Sequence, residues 1–425
     1  MNTPIDDRAD DLAQRAVESV ARQSYGRLVA LLSARTRDVA AAEDALADAL
    51  MAALTTWPRD GVPKNPQGWL MTAARNRLLD QARHRQVRDH SAPTLELMMS
   101  DLYETADPDA LPDERLKLLL VCAHPAIDPD MHTPLMLQTV LGLDAVAIAR
   151  AFLVSPKTMG QRLVRAKNKI RQAQIAFEIP DAKEIPQRLE AVLDAIYAAY
   201  GSSWEDAAGT DRKAVGLAEE AIWLARVLRD QVPDDPEVHG LLALMLHCEA
   251  RRPARRTADG KFVPLSEQDP LSWLTPLIAE AEHELLAAAR QARLGRFQLE
   301  AAIQSVHAER AHSGRTDWKA IARFYDLLVQ VAPSLGAAIG RAAAHAEAKS
   351  VEAGLALLEE IDAESVKEYQ PYWAVRAHLL SELGRRREAE EAFDRAVGLS
   401  EDDAVRTFLL ERRNQSSRRR PSETR

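Results

Sequence analysis

Two stretches of the chain concentrate cationic side chains in a way that could grip a polyanion. Between Leu153 and Phe177 stand six Lys or Arg residues (Lys157, Arg162, Arg165, Lys167, Lys169, Arg171) and no Asp or Glu. Between Arg75 and Arg88 stand Arg75, Arg77, Arg83, Arg85 and Arg88 against the single acid Asp80. Guanidinium, ammonium and amide groups on one helix face suit phosphate oxygens and base edges. The chain as a whole is acidic, with a net charge of -9, so the positive charge is local rather than general. A third cationic cluster, Arg251, Arg252, Arg255 and Arg256, precedes Asp269 in a loop-like segment. Its spacing reads as an intrachain salt-bridge loop or, more sharply, as a regulatory contact surface.

Helices must position these groups. Alanine and leucine dominate, β-branched runs are rare and apolar residues recur at helical spacing, so the expected fold is all-α. Leu46, Leu50, Ala53, Leu54 and Trp57 form one stripe, with Glu43, Asp44 and Asp48 assigned to the opposite side. Asn76, Asp80 and Arg83 fall at i, i+4 and i+7 of a second helix that begins after Pro66. Asp144 to Ala151, a turn through Leu153-Val154-Ser155, and a helix from Pro156 read as a helix-turn-helix. Ser155 suits the cap of the second helix and Pro156 its first turn. Ala147, Ile148, Ala151, Leu163 and Ile170 are expected inside, leaving Thr158, Gln161, Arg162, Arg165, Lys167 and Lys169 outward.

The expected domains are 8–88, a linker at 89–112, a second helical domain at 113–177, a helical extension at 183–298, repeats at 299–412 and a disordered basic tail at 413–425. The repeats rest on columns spaced by 34 and 35 residues: Ala308, Ala342, Ala377; Ala320, Gly354, Ala389; Phe324, Leu358, Phe393; and Leu327, Ile361, Ala396. With Trp373, Ala377, Gly384, Ala389, Phe393 and Ala396, the last copy resembles a tetratricopeptide repeat.

No catalytic constellation competes. There is no Gly-rich phosphate loop or nucleophile elbow, and His239, His247 and Cys248 are off any zinc-site spacing. No cofactor and no metal are expected, and an enzyme is disfavoured. Cys122 and Cys248 read as ordinary thiols of a reducing compartment, the N-terminus has no export signal, and no apolar run reaches about 18 residues. The expected location is the cytoplasm, without a membrane partner.

Three motifs carry a resemblance to extracytoplasmic-function sigma factors of the sigma-70 type: AAEDALADALMAAL from Ala41, WLMTAARNRLLDQARHR from Trp69, and IARAFLVSPKTMGQRLVRAK from Ile148. The resemblance covers the first 175 residues or so. It implies RNA polymerase core (the β′ clamp helices and β flap) and promoter DNA as partners. Asp44 and Asp48 would then dock on polymerase, where Ala47 departs from the glutamine common in the family. Asn76, Asp80, Arg83, Arg75 and Arg77 would read and hold the −10 element. Gly160, Gln161, Val164 and Arg165 would face −35 bases, with Lys157, Thr158, Arg162 and Lys167 on phosphates. The segment from Cys248 to Trp273, with YAAYGSSW near Tyr197, resembles the helical extension of a subgroup whose repeats follow the sigma regions. That extension would regulate or support activity, with contact to the sigma domains within the chain. The rival reading is a helix-turn-helix regulator with a repeat-built sensing domain and no polymerase docking.

Overall fold

The structure, a computed structural model, describes residues 7–89, 114–181, 183–204 and 212–418. Among these residues every regular element is helical, and the sole β pairing is an isolated bridge between Arg256 and Phe262. The composition accounts for this, since Ala and Leu lose little side-chain freedom in a helix. The chain divides into two compact units: Met1–Ser202 with Arg212–Leu224, and Ser203–Asp211 with Ala225–Arg425.

In the first unit, α1 (Asp7–Thr36), α2 (Val39–Asp60) and α3 (Pro66–Asp89) pack around Leu31, Leu32, Leu46, Ala53, Trp57, Leu70, Ala74 and Leu78. Asp38 caps α2 by accepting from the Ala41 amide at 3.1 Å. Gly61, at φ 85°, ends α2 and donates its N–H back to the Trp57 carbonyl. Trp57 meets Trp69 edge to face, 5.6 Å between ring centres, so Trp69 serves packing. Leu54, which the spacing places in the stripe, is exposed, and Glu43 leaves the acidic face and turns inward.

The same unit holds α4 (Arg115–Cys122), α5 (His132–Thr139), α6 (Ala145–Ala151) and α7 (Pro156–Gln172). Gly26 of α1 seats directly against the Val140 carbonyl; a Cβ there would lie 1.8 Å from the oxygen. The two stretches expected as separate domains thus lie within one compact body. The expected linker, 89–112, lies outside the described residues except for Asp89, which ends α3.

Next come α8 (Ile185–Trp204) and α9 (Arg212–Gln231). The expected extension begins here, yet Leu189, Val192, Leu193, Ile196 and Tyr200 are buried in the first unit. Arg188 donates to the Leu120 carbonyl at 3.2 Å, while Arg115 pairs with Glu220 at 2.5 Å and covers the Trp223 ring at 4.2 Å.

In the second unit, α10 (Pro236–Ala250) is buried almost all round because it is apolar on every face, with α11 (Thr275–Ala289) and α12 (Arg296–Ala308) packed on it. Then follow α13 (Trp318–Val331), α14 (Leu335–Ala348), α15 (Val351–Glu359), α16 (Gln370–Glu382), α17 (Arg386–Leu399) and α18 (Asp403–Arg418). The repeat columns pack best in the later copies: Ala342, Ala377, Leu358, Ala389, Phe393 and Ala396 are buried, whereas Leu327 is exposed. Gly354 permits close pairing, since a Cβ there would meet the Ala346 side chain at 2.4 Å and the Ala342 carbonyl at 2.7 Å. The expected tail is corrected in its first part: residues 413–418 continue α18, with Arg413 paired to Asp394 and Ser416 bonded to Ser381 at 2.6 Å.

Candidate functional site

Two short stretches of local chemistry build the α6–α7 corner. Asp144 accepts from the Val146 and Ala147 amides, at 3.0 and 2.8 Å, and starts α6. Ser155 accepts from the Thr158 amide at 3.1 Å, and Pro156 takes the first turn of α7, where a missing N–H costs nothing. Between them Leu153 adopts φ 52° and is 93% exposed. On α7, Met159, Leu163, Ala166 and Ile170 point inward. On α6 the inward residues are Ile148 and Ala149, while Ala147 and Ala151 are exposed, a shift of the expected face by about one position.

With its apolar side buried, α7 offers Lys157, Gln161, Arg162, Arg165 and Lys169 to solvent. Val164 stands among them at 58% exposure, and Gly160 leaves open space where a side chain would be. Thr158 is half-buried and shares a 2.8 Å hydrogen bond with the Ser155 hydroxyl. Thymine methyl groups suit an apolar contact of the Val164 kind, and base edges suit Gln161 and Arg165.

Lys167 does not belong to this outward set. Its ammonium is paired with Glu43 of α2, with side chains 10% and 13% exposed. Tyr25 donates to the other Glu43 oxygen at 3.4 Å. Burial raises the Glu43 carboxyl above its ordinary range, opposed by the Lys167 charge; burial and Glu43 raise the Tyr25 hydroxyl as well. Arg171 reaches Asp38 at 3.5 Å. The spacing does carry a hint that Glu43 turns inward. Glu43 precedes Leu46 and Leu50 by three and seven positions, which sets it at the border of the buried stripe.

On the other helices, Asp44 and Asp48 are exposed, as are Asn76 and Asp80, one turn apart on α3. Arg77 lies 3.7 Å from Asp48, both largely in solvent, a contact of small energetic value. Arg75 is half-buried. Arg83 lies in α3, but its side chain is outside the described residues.

In the second unit, Arg252 pairs with Glu249 at 2.7 Å and Arg256 with Asp402 at 2.6 Å. Asp269 accepts from the Leu271 amide at 3.0 Å and caps a single turn. Arg255 is half-buried and Arg251 is buried. Among the described residues, no group of His, Cys, Asp and Glu could hold a metal ion, and no helix is long and apolar enough to cross a membrane.

Residues 20–88, covering most of α1 to α3, match the sigma-70 region 2 family, and residues 188–289 match a family of unknown function (DUF6596). Over 400 residues the chain is 36% identical to an uncharacterised protein of Rhizobium meliloti (strain 1021), R00370, covering 93% of each. No solved structure matches. A region 2 at this position supports a sigma-70-type sigma factor; members of that family are transcription initiation factors rather than enzymes, and the segment supports binding to RNA polymerase core and promoter DNA in general. The chain belongs to the same family as the Rhizobium protein, to which it is similar over almost its whole length.

Proposed function

We propose that the protein is a cytoplasmic sigma factor of the extracytoplasmic-function type. It joins core polymerase through the exposed Asp44 and Asp48 of α2, against the β′ clamp helices. It holds the melted −10 strand along Asn76, Asp80 and Arg83, with Arg75 and Arg77 beside them, and reads −35 bases with Gln161, Val164 and Arg165. Lys157, Thr158 and Arg162 hold phosphates; Lys167 joins them only when its pair with Glu43 opens. The α6–α7 corner then acts as a helix-turn-helix and makes the β flap contact. The DUF6596 segment and the tetratricopeptide-like helices behind it regulate or support this activity. One observation supports the reading most strongly: a helix whose outward face is wholly cationic or neutral, presented by a capped turn, in the same chain as a region 2.

Run-off transcription from genomic fragments with core polymerase and the full chain tests this directly. Defined starts that disappear with Asp44→Arg/Asp48→Arg and with Arg162→Ala/Arg165→Ala are expected. A chain that neither binds core nor directs initiation, yet still binds specific DNA, is a conventional regulator.

A further inference from the structure

The basic segment 251–256 hides one arginine that its neighbours do not explain. Arg251 is 8% exposed, and the partners of its guanidinium are uncharged: the His247 carbonyl at 3.3 Å, Gln304 Oε1 at 2.5 Å and Cys248 Sγ at 3.9 Å. Arg310 is held in the same manner, by the Ser266 and Gln268 carbonyls at 3.0 and 2.7 Å, with its guanidinium 5.2 Å over the Trp273 ring. The Leu274 amide donates to the Ala250 carbonyl at 2.9 Å, which brings Trp273 to the end of α10 beside Arg251. Two cations share one place, each with carbonyls where a carboxylate would stabilise it more.

Their field is visible in the neighbours. Burial and the Arg251 charge lower the Arg310 guanidinium. Burial, with both arginines, holds the His307 imidazole down at about 4, and burial with Arg251 holds His247 at about 3. Two acids of α11 and α12 are otherwise engaged: Glu282, 3.4 Å from His247, accepts from Ser305 at 2.6 Å, and Glu300 holds Arg296 at 2.8 Å.

The cluster also leaves polar atoms without hydrogen-bond partners. They are the Trp273 indole nitrogen, in a residue 4% exposed, both ring nitrogens of His247, at 1%, and Gln268 Oε1, at 7%. Buried donors left this way are costly and call for an acceptor. A neutral imidazole and an indole can each donate one N–H, and a guanidinium offers several.

We propose that Arg251, Arg310, Trp273 and His247 form a binding site for the oxyanion of a small soluble molecule, a phosphate or a carboxylate. The anion accepts from the two guanidiniums and from the indole and imidazole N–H groups, and Gln268 Oε1 takes a hydroxyl beside it. Such a site would give the DUF6596 segment a ligand, and it stands independently of the initiation role.

Calorimetry and thermal melting of the full chain, with inorganic phosphate or citrate exchanged for chloride at constant ionic strength, test it. Saturable one-site binding and a raised melting temperature are expected. Trp273→Phe and Arg310→Gln should each weaken binding by about tenfold or more, and the exposed Lys261→Gln should leave it unchanged. Tighter phosphate than citrate identifies a phosphate ligand; the reverse order identifies a carboxylate. In the unaltered protein, histidine NMR titrations should shift upward for His247 and His307 when the anion is bound. Absence of saturable binding, unshifted titrations, or variants that bind as tightly as the parent chain overturn the site.

Discussion

The cations of α7 and those of residues 251–256 look alike in the sequence and lead opposite lives in the fold. Along α7 an apolar stripe of Met159, Leu163, Ala166 and Ile170 is buried, so the helical period itself turns Lys157, Gln161, Arg162 and Arg165 outward. Segment 251–256 has no such stripe; it closes α10 with a single turn and folds back through the Arg256–Phe262 bridge. Arg252 and Arg256 are paired with Glu249 and Asp402, and Arg251 is buried with an amide oxygen of Gln304. A run of positive charge thus becomes an outward cationic face only when a periodic apolar side exists to aim it.

Lys167 is the exception on α7, and removing it should have the largest effect. Lys167→Met leaves Glu43 buried without its cation and should cost about 3–5 kcal/mol in chemical denaturation. The double variant with Glu43→Leu should recover most of that loss; a cost under about 1 kcal/mol for the single change would place Lys167 with its exposed neighbours.

Acid should strike the second region next. His247 and His307 are depressed in the folded chain to about 3 and about 4, so the unfolded chain binds the extra protons. The stability they contribute is complete above about pH 6.5 and falls as pH drops, by up to about 1.4 kcal/mol per pH unit per group. His239 has the opposite sign: the hydrogen bond it donates to Glu284, at 2.5 Å, raises it, so its contribution is complete at low pH and lost as pH rises through the raised value. Melting curves from pH 8 to 5 of the parent chain and His247→Gln should separate the two trends.

Smaller effects belong to the outward face. Arg162→Ala and Arg165→Ala should each weaken promoter binding by about tenfold, and each lost phosphate contact should flatten the salt dependence by about one counterion. Stability should move by no more than about 0.5 kcal/mol. Ser155→Ala removes a cap and should cost about 1 kcal/mol without changing the sequence preference of whatever DNA is bound.

Local chemistry was the legible part of this molecule. Asp144, Ser155 and Pro156 announce where two helices start, because caps are decided by a few adjacent residues. Alanine at Ala342, Ala377 and Ala389 announces close helix pairs. The partners of charged groups were not legible. Glu43 and Lys167 are 124 residues apart, and Arg256 and Asp402 are 146 apart; no spacing rule reaches such pairs. Arg251 was visible as a charge, but its burial depends on α12 and on the loop through Trp273. The one-position shift on α6 is of the same kind, since tertiary packing decides which side of a two-turn helix faces in.

At Gly26, α1 meets the Val140 carbonyl at a distance only a hydrogen atom can fill. A joint that tight has no half-slipped position: α1 is either seated on that oxygen or off it. The first unit is therefore fastened like a latch, and a single added methyl at position 26 would act as a wedge. That makes it the simplest place from which to pry α1 to α3 away from α4 to α7 and learn what each does alone.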